Sequence, residues 1–308
     1  MSALARAAGD YLELRRALGY KLRQEGRLVA SLAGYLQARG LDRVTLTAAL
    51  AWATRPEPAS PVWHAKRLAA VRGFAAYLAT INPASQIIPR GLLPARPSRS
   101  TPYLYSPAQI QALMAAAARL SCPLRAATLE AFIGLMAATG LRTGEAMALD
   151  RADADLSGST LIIRCSKLGK SRLVPLHETS TAALARYAAR RDQLCPQPAT
   201  AAFFLSGAGT RLNHTNVSTT FAGLLAAAGI SAAPGTRRPR LYDLRHTFAV
   251  TTLASWHAEA AGAQARLPVL ATYLGHIKPS STYWYLQAEP QLLAAAAGRL
   301  EGFLGDLP

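Results

Sequence analysis

The sequence predicts a mainly α-helical protein of two domains, the second an α+β unit carrying one small β-hairpin or sheet. Three observations carry this. Apolar residues recur at helical spacing through alanine-rich segments, while aromatic residues make up only 7% of the chain, a balance that favours helices over sheets. Four prolines fall between Ile87 and Tyr105; proline locks φ and lacks an N–H, so this density forbids a helix and gives an extended connector. Two short β-branched runs, Leu161-Ile162-Ile163 and Arg172-Leu173-Val174, flank the turn-like SKLGK and read as a hairpin. A chain of 308 residues exceeds what one core usually serves, about 250 to 300. The expected organisation is a helical domain over 1–88, a linker over 89–105 and a larger domain over 106–308.

Each element has its own signal. The first helix begins near Ala3, with Leu4, Tyr11, Leu14 and Leu18 on its apolar face, and ends at Gly19. The second carries Leu28, Leu32, Tyr35 and Leu36 and stops at Gly40; a short third surrounds Leu46, Leu50 and Trp52. The fourth holds Trp63, Arg67, Ala70, Val71, Phe74 and Leu78 and ends before Asn82-Pro83. Past the linker, Ser106-Pro107-Ala108-Gln109 is a helix start: a Ser cap, Pro at the first helical position and Gln three residues after the cap. Leu124 to Ala138 is a further helix, closed by Thr139-Gly140. After the hairpin, helices are expected at about 179–190, 214–227, 241–256, 266–274, 279–286 and 290–303. The last bears an apolar stripe of Leu292, Leu293, Ala296, Leu300 and Phe303.

Thirty-four Lys and Arg against seventeen Asp and Glu give a formal charge of +17. An excess of this size is the electrostatic footprint of a polyanion partner. The N-terminal cations Arg15, Arg16, Lys21, Arg23, Arg27, Lys66, Arg67 and Arg72 are expected to contact DNA phosphates. Cys122, Cys165 and Cys195 are too few and too scattered for a disulfide framework or a zinc site, and suit buried or half-buried thiols. No stretch approaches the ~20 apolar residues of a membrane span, and no signal-peptide run is present; a cytoplasmic protein without a membrane role is expected.

The chemistry lies in a dispersed set. Arg142 stands in ATGLRTGEAMAL, Lys167 in SKLGKSRLVPL, Tyr242 and Arg245 in LYDLRHTFA, His276 in YLGH and Tyr285 in STYWYLQAEP. Attack on a phosphodiester loads negative charge onto the non-bridging oxygens, and an enzyme without a metal must meet it with fixed positive charge. Guanidinium is charged at any working pH and presents a planar fork of donors, so Arg142 and Arg245 are the natural pair. Lysine can give up a proton where arginine cannot. Each of these residues alone has an ordinary structural reading; a lone arginine at a helix start is usually structural. The set is what carries the inference. There is no clustered Asp/Glu set around these motifs, so a metal-dependent nuclease fits poorly.

In this order and with these neighbours, the motifs resemble the tyrosine recombinase (integrase) family, and the resemblance covers the whole chain. It implies a helical N-terminal core-binding, SAM-like domain and a catalytic domain, which together form a C-shaped clamp on DNA. It further implies that Tyr285, nine residues after His276, is the nucleophile, in preference to Tyr283. His276 would hydrogen-bond the scissile phosphate, and Glu145 would buttress the site. Lys167, preferred over Lys170 by its spacing to RLVPL, would protonate the leaving 5′ oxygen. No cofactor or metal is implied. The partners implied are double-stranded DNA with inverted-repeat core sites, a homo-tetramer on that DNA, and accessory recombinases or DNA-bending proteins. The final helix would either close its own domain or, as family members often do, dock onto a neighbouring protomer, and the protein would sit with the nucleoid when bound.

One departure from the family pattern stands out. Where the family usually writes His-x-x-Arg, this chain has Tyr242-Asp243-Leu244-Arg245. Three residues apart on a helix, positions 242 and 245 should share a face. A phenol can donate to a phosphate oxygen, but with a pKa near 10 it is a poor proton shuttle. His246 is expected to be structural. The phrase YLGH…STYWYL…P is most like integrases of mobile elements. Two rival readings are a non-catalytic accessory homologue, suggested by Tyr242, and a type IB topoisomerase, against which the short helix after the tyrosine argues.

Overall fold

The computed structural model describes residues 2–55, 59–94, 101–164, 171–233, 236–258 and 263–276. The expected helices at 279–286 and 290–303, together with Cys165, lie outside them. The chain divides between Arg99 and Ser100 into two compact units.

In the first unit, helix α1 spans Ala3–Ala17, α2 Arg23–Gln37, α3 Leu46–Thr54 and α4 Pro61–Ile81. Three of the starts are written in the sequence. Ser2, Thr45 and Ser60 each accept a backbone N–H three residues on, and Pro61 follows Ser60 as the first helical residue; such a cap is worth ~1 kcal/mol. The core joins Leu4, Tyr11, Val29, Leu32, Leu36, Trp52, Leu68, Val71, Phe74 and Leu78, each buried apolar side chain contributing roughly 1.5–3 kcal/mol. The face of α1 differs from the expected one: Leu14 and Leu18 are 51% and 64% exposed. Ala7, Ala8 and Leu12 are buried instead. Leu14 falls about a quarter-turn off the line through Leu4 and Tyr11, and Leu18 lies beyond the last helical residue. The small alanines leave room for α2 and α4 to approach. Two of the cations expected to face DNA also serve the fold. Arg67 donates to the Trp52 carbonyl at 2.9 Å, and Arg72 donates to the carbonyls of Ile88 and Pro89.

The second unit is built around α6, Pro123–Thr139, which packs against α5 (Pro107–Ala118), α8 (Glu178–Leu194) and α10 (Asp243–Ala258). The start of α5 is a full capping box of Ser106 and Gln109. Gly140, at φ +58°, ends α6, and α7 (Thr143–Ala148) follows. A three-stranded antiparallel sheet comes next: β1 Ala154–Asp155, β2 Thr160–Ile163 and β3 Arg172–Pro175, in that order. The β2–β3 register pairs Leu161 with Val174 and Ile163 with Arg172. β1 was not legible in sequence, since two residues show no alternation. Helix α9 spans His214–Ala227, and α11, Ala263–Leu274, closes the described chain. Among the described residues, no helix is long and apolar enough to cross a membrane.

Candidate active site

The turn between α6 and α7 sets the first half of the site. Gly140 takes the left-handed conformation that stops α6, Leu141 is buried, and Arg142 becomes the residue that precedes α7. Glu145, in the first turn of α7, accepts the backbone N–H of Arg142 at 3.2 Å and its Nη1 at 2.6 Å. A second arginine meets the same carboxylate from the sheet: Arg172 donates Nη2 to Oε2 at 2.8 Å and Nη1 to Oε1 at 3.2 Å. Burial by itself would raise the Glu145 pKa, but hydrogen bonds and charge from Arg172, and then from Arg142, outweigh it and hold the group below the usual carboxylate range. Glu145 is therefore a buried anion with two cationic partners.

Helix α11 sets the second half. Its last carbonyls have no partner within the helix and carry the negative end of its dipole. Three successive carbonyls are each taken by a different arginine. Arg172 Nε donates to Tyr273 O at 2.9 Å, Arg245 Nη2 to Leu274 O at 2.8 Å and Arg142 Nη2 to Gly275 O at 2.6 Å. Arg245 also donates Nη1 to Gly140 O at 2.7 Å, so it ties the end of α6 to the end of α11 while fully buried. Gly275 sits at φ +67°, and a Cβ there would lie 2.7 Å from Arg172 Nη1 and 3.2 Å from Arg142 Nη1. That explains the glycine of the LGH phrase: only a residue without a side chain lets both guanidiniums lie against the turn.

His276 follows directly, its backbone N–H bonded to Ala271 O at 2.8 Å. Its Nε2 lies 2.9 Å from Arg245 Nη2. Arginine has no acceptor, so Nε2 accepts and the ring proton of the neutral form sits on Nδ1. Burial, then Arg245, Arg142 and Arg172, push the His276 pKa down to about 4. The assembly of Arg142, Arg172, Arg245, Glu145 and neutral His276 carries two net positive charges. Arg142 is its most open guanidinium, with a side chain 23% exposed against 12% for Arg172.

Tyr242 is placed differently from expectation. Helix α10 begins at Asp243, so Tyr242 precedes it and does not share a helix face with Arg245; it is 37% exposed where Arg245 is enclosed. The start is set by Asp243, whose buried carboxylate accepts the Arg240 N–H at 2.8 Å and Arg237 Nη2 at 3.1 Å. Burial, only partly offset by Arg237, raises the Asp243 pKa to about 6. The Tyr242 ring meets His246 edge-on at 5.0 Å. Tyr242 and Arg142 both line a cavity of about 540 Å³, together with Thr143, His214, Ser218 and Arg240. His246 is held neutral, its pKa pushed to about 4 by burial and by Arg245 and Arg237.

Of the sequence-derived candidates, Arg142, Glu145, Arg245 and His276 are brought into one bonded cluster, and Tyr242 stands on the wall of the adjoining cavity. Lys167 and its competitor Lys170, and Tyr285 with Tyr283 and Trp284, lie outside the described residues. Arg172 was missed. Its only sequence signal is indirect: a glutamate destined for burial beside arginine and carbonyl groups calls for full cationic compensation.

Comparison with known proteins gives the family of the chain. Residues 104–291 match the model of the phage integrase family. The chain is 43% identical over 307 residues to a putative integrase/recombinase, y4rB, of Sinorhizobium fredii, covering 98% of each chain. It is 32% identical over 230 residues to tyrosine recombinase XerD of Mycobacterium tuberculosis, covering 73% of this chain and 70% of that one. Among solved structures, the XerH site-specific recombinase bound to a palindromic difH substrate aligns with a TM-score of 0.66 at 18% identity, over 90% of this chain and 79% of that one. The Tn1549 transposon integrase in complex with transposon right end DNA aligns with a TM-score of 0.61 at 18% identity, over 96% and 99%.

Proposed function

Since the chain belongs to the phage integrase family of tyrosine recombinases, we propose that it is a site-specific DNA recombinase that cleaves and rejoins strands through a 3′-phosphotyrosine on Tyr285. The observation that carries this reading is the convergence of Arg142, Arg245 and His276 on the last turn of α11, where fixed positive charge surrounds a neutral imidazole. In this reading the scissile phosphate lies against Arg142 and His276, which answer the charge that develops on its non-bridging oxygens. The Tyr285 phenol releases its proton to solvent as its oxygen forms a bond to phosphorus, the bond from phosphorus to the 5′ oxygen breaks, and the Lys167 ammonium gives that oxygen the proton that makes it a 5′-hydroxyl. Glu145 holds Arg142 in place. Tyr242 donates its hydroxyl to a phosphate oxygen. The phosphotyrosine conserves the phosphodiester energy, so rejoining to a partner strand through a Holliday junction requires no ATP, and the charge cluster takes the place of a metal.

The partner is double-stranded DNA with paired inverted sites, bound by four protomers, and the setting is integration, excision or transposition of a mobile element. Two features support the DNA partner: the +17 charge, and an aromatic–arginine surface on the first unit. There Arg39 and Arg55 lie over the Tyr35 ring, at 3.8 and 5.5 Å. The names of the relatives, an integrase/recombinase and a transposon integrase, support the mobile-element setting. Trapping on a nicked suicide substrate tests the reading. The wild type should form a covalent protein–DNA adduct and Tyr285→Phe none, with DNA affinity kept. An adduct that survives Tyr285→Phe and disappears in Tyr283→Phe would move the nucleophile.

A further inference from the structure

We propose that Arg172 is a positioning residue that neutralises Glu145 and thereby leaves the charge of Arg142 available to an anion. The inference rests on the reading above that Arg142 meets a phosphate. Glu145 is an expensive neighbour for such an arginine, because a carboxylate at 2.6 Å from Nη1 cancels the charge the phosphate needs. The cancellation is strongest in a buried pair, where solvent screens little. The same carboxylate, 8% exposed, is nevertheless needed to fix the Arg142 backbone and side chain. Arg172 resolves this conflict. Both of its terminal nitrogens are given to Glu145, one to each oxygen, and its Nε is given to Tyr273 O. All three kinds of donor on Arg172 thus face protein, while Arg142 keeps the more open side chain. Glu145 is in effect the carboxylate of Arg172 and only the bracket of Arg142.

The arrangement separates charge from geometry, and so the test can too. The probe is inorganic phosphate titrated into the full chain, read by the ring signals of His276 in protein labelled at histidine carbons. The wild type should show a saturable shift. Arg172→Met leaves Glu145 to cancel Arg142 and should weaken phosphate at least about tenfold. Adding Glu145→Gln to Arg172→Met removes the surplus anion and should return the affinity to within about threefold of wild type. Loss of a merely structural tether would not be reversed in this way. Arg172→Lys keeps the charge without the fork and should stay within about threefold of wild type. Should Arg172→Met not fold, Glu145→Gln with and without Arg172→Met carries the test, because once position 145 is neutral the two should differ by less than about threefold. The inference is overturned if Arg172→Met binds phosphate as wild type does, or if the double variant stays as weak as the single one. A wild type whose His276 does not respond to phosphate removes the anion site itself, and the inference with it.

Discussion

The two units spend their arginines in opposite ways. In the first, the exposed Arg39 and Arg55 lie over the face of Tyr35 and make no ion pair to a described residue. In the second, Arg142, Arg172 and Arg245 are pinned by three successive carbonyls and one buried carboxylate. The first arrangement leaves charge on flexible stems at a solvent-facing surface, which suits a polyanion whose many phosphates are met without exact registry. The second fixes charge in advance at one point, so that no reorganisation is needed when negative charge develops there. Under the proposed function, the difference between binding and chemistry lies in what holds each guanidinium rather than in how many there are.

Gly275→Ala is the sharpest way to break the fixed arrangement. It places a side chain 2.7 Å from Arg172 and 3.2 Å from Arg142 in a left-handed turn. The backbone alone costs ~1–2 kcal/mol, and with the displaced arginines the cleavage step should slow by roughly a hundredfold or more, ~2.7 kcal/mol. Single-turnover rates check this; wild-type cleavage would mean the arginines are not held by that turn. A smaller effect is expected at Tyr242. Tyr242→Phe should slow cleavage by the worth of one hydrogen bond to a charged group, ~1.5–3 kcal/mol, and Tyr242→His should be tolerated. If Phe cleaves as fast as wild type, Tyr242 only packs against His246.

The smallest effect concerns pH. The His276 pKa is lowered to about 4 from 6.5, so the folded state binds fewer protons than the unfolded chain between these values. The stability this confers is present above about 6.5 and is lost as pH falls toward 4. His246 runs in the same direction. Asp243 runs the other way, because its raised pKa favours the fold below 3.8 and costs stability as pH rises through about 6. Replacing His276 with Gln should remove part of the acid-side loss. A His276 ring that titrates near 6.5 in the folded protein would contradict the bond it accepts from Arg245.

Much of this was legible in the sequence because the signals are local. Ser106 with Gln109, and Gly140, each set a helix boundary through groups a few residues apart. The phrases around Arg142, Arg245 and His276 named residues that the fold brings together over more than a hundred positions. What was not legible depended on tertiary partners. Leu14 and Leu18 carry an apolar signal, but alanines made the closer helix contact. Sequence spacing puts Tyr242 on one helix face with Arg245, because nothing local announces that buried Asp243 starts α10. Arg172 has no local signal, because its contacts with Glu145 and Tyr273 exist only once β3 lies beside α7 and α11.

The most direct test of the contrast between the two units measures DNA affinity and single-turnover cleavage side by side in two variants. Arg142→Ala should cut cleavage by ~3 kcal/mol or more, as loss of one oxyanion donor does, while affinity stays within about threefold of wild type. Arg39→Ala with Arg55→Ala should do the reverse: weaker binding with a shallower salt dependence, and an unchanged cleavage rate once the DNA is saturating. If both variants lose affinity and cleavage in the same proportion, the division between a binding surface and a fixed catalytic charge is wrong.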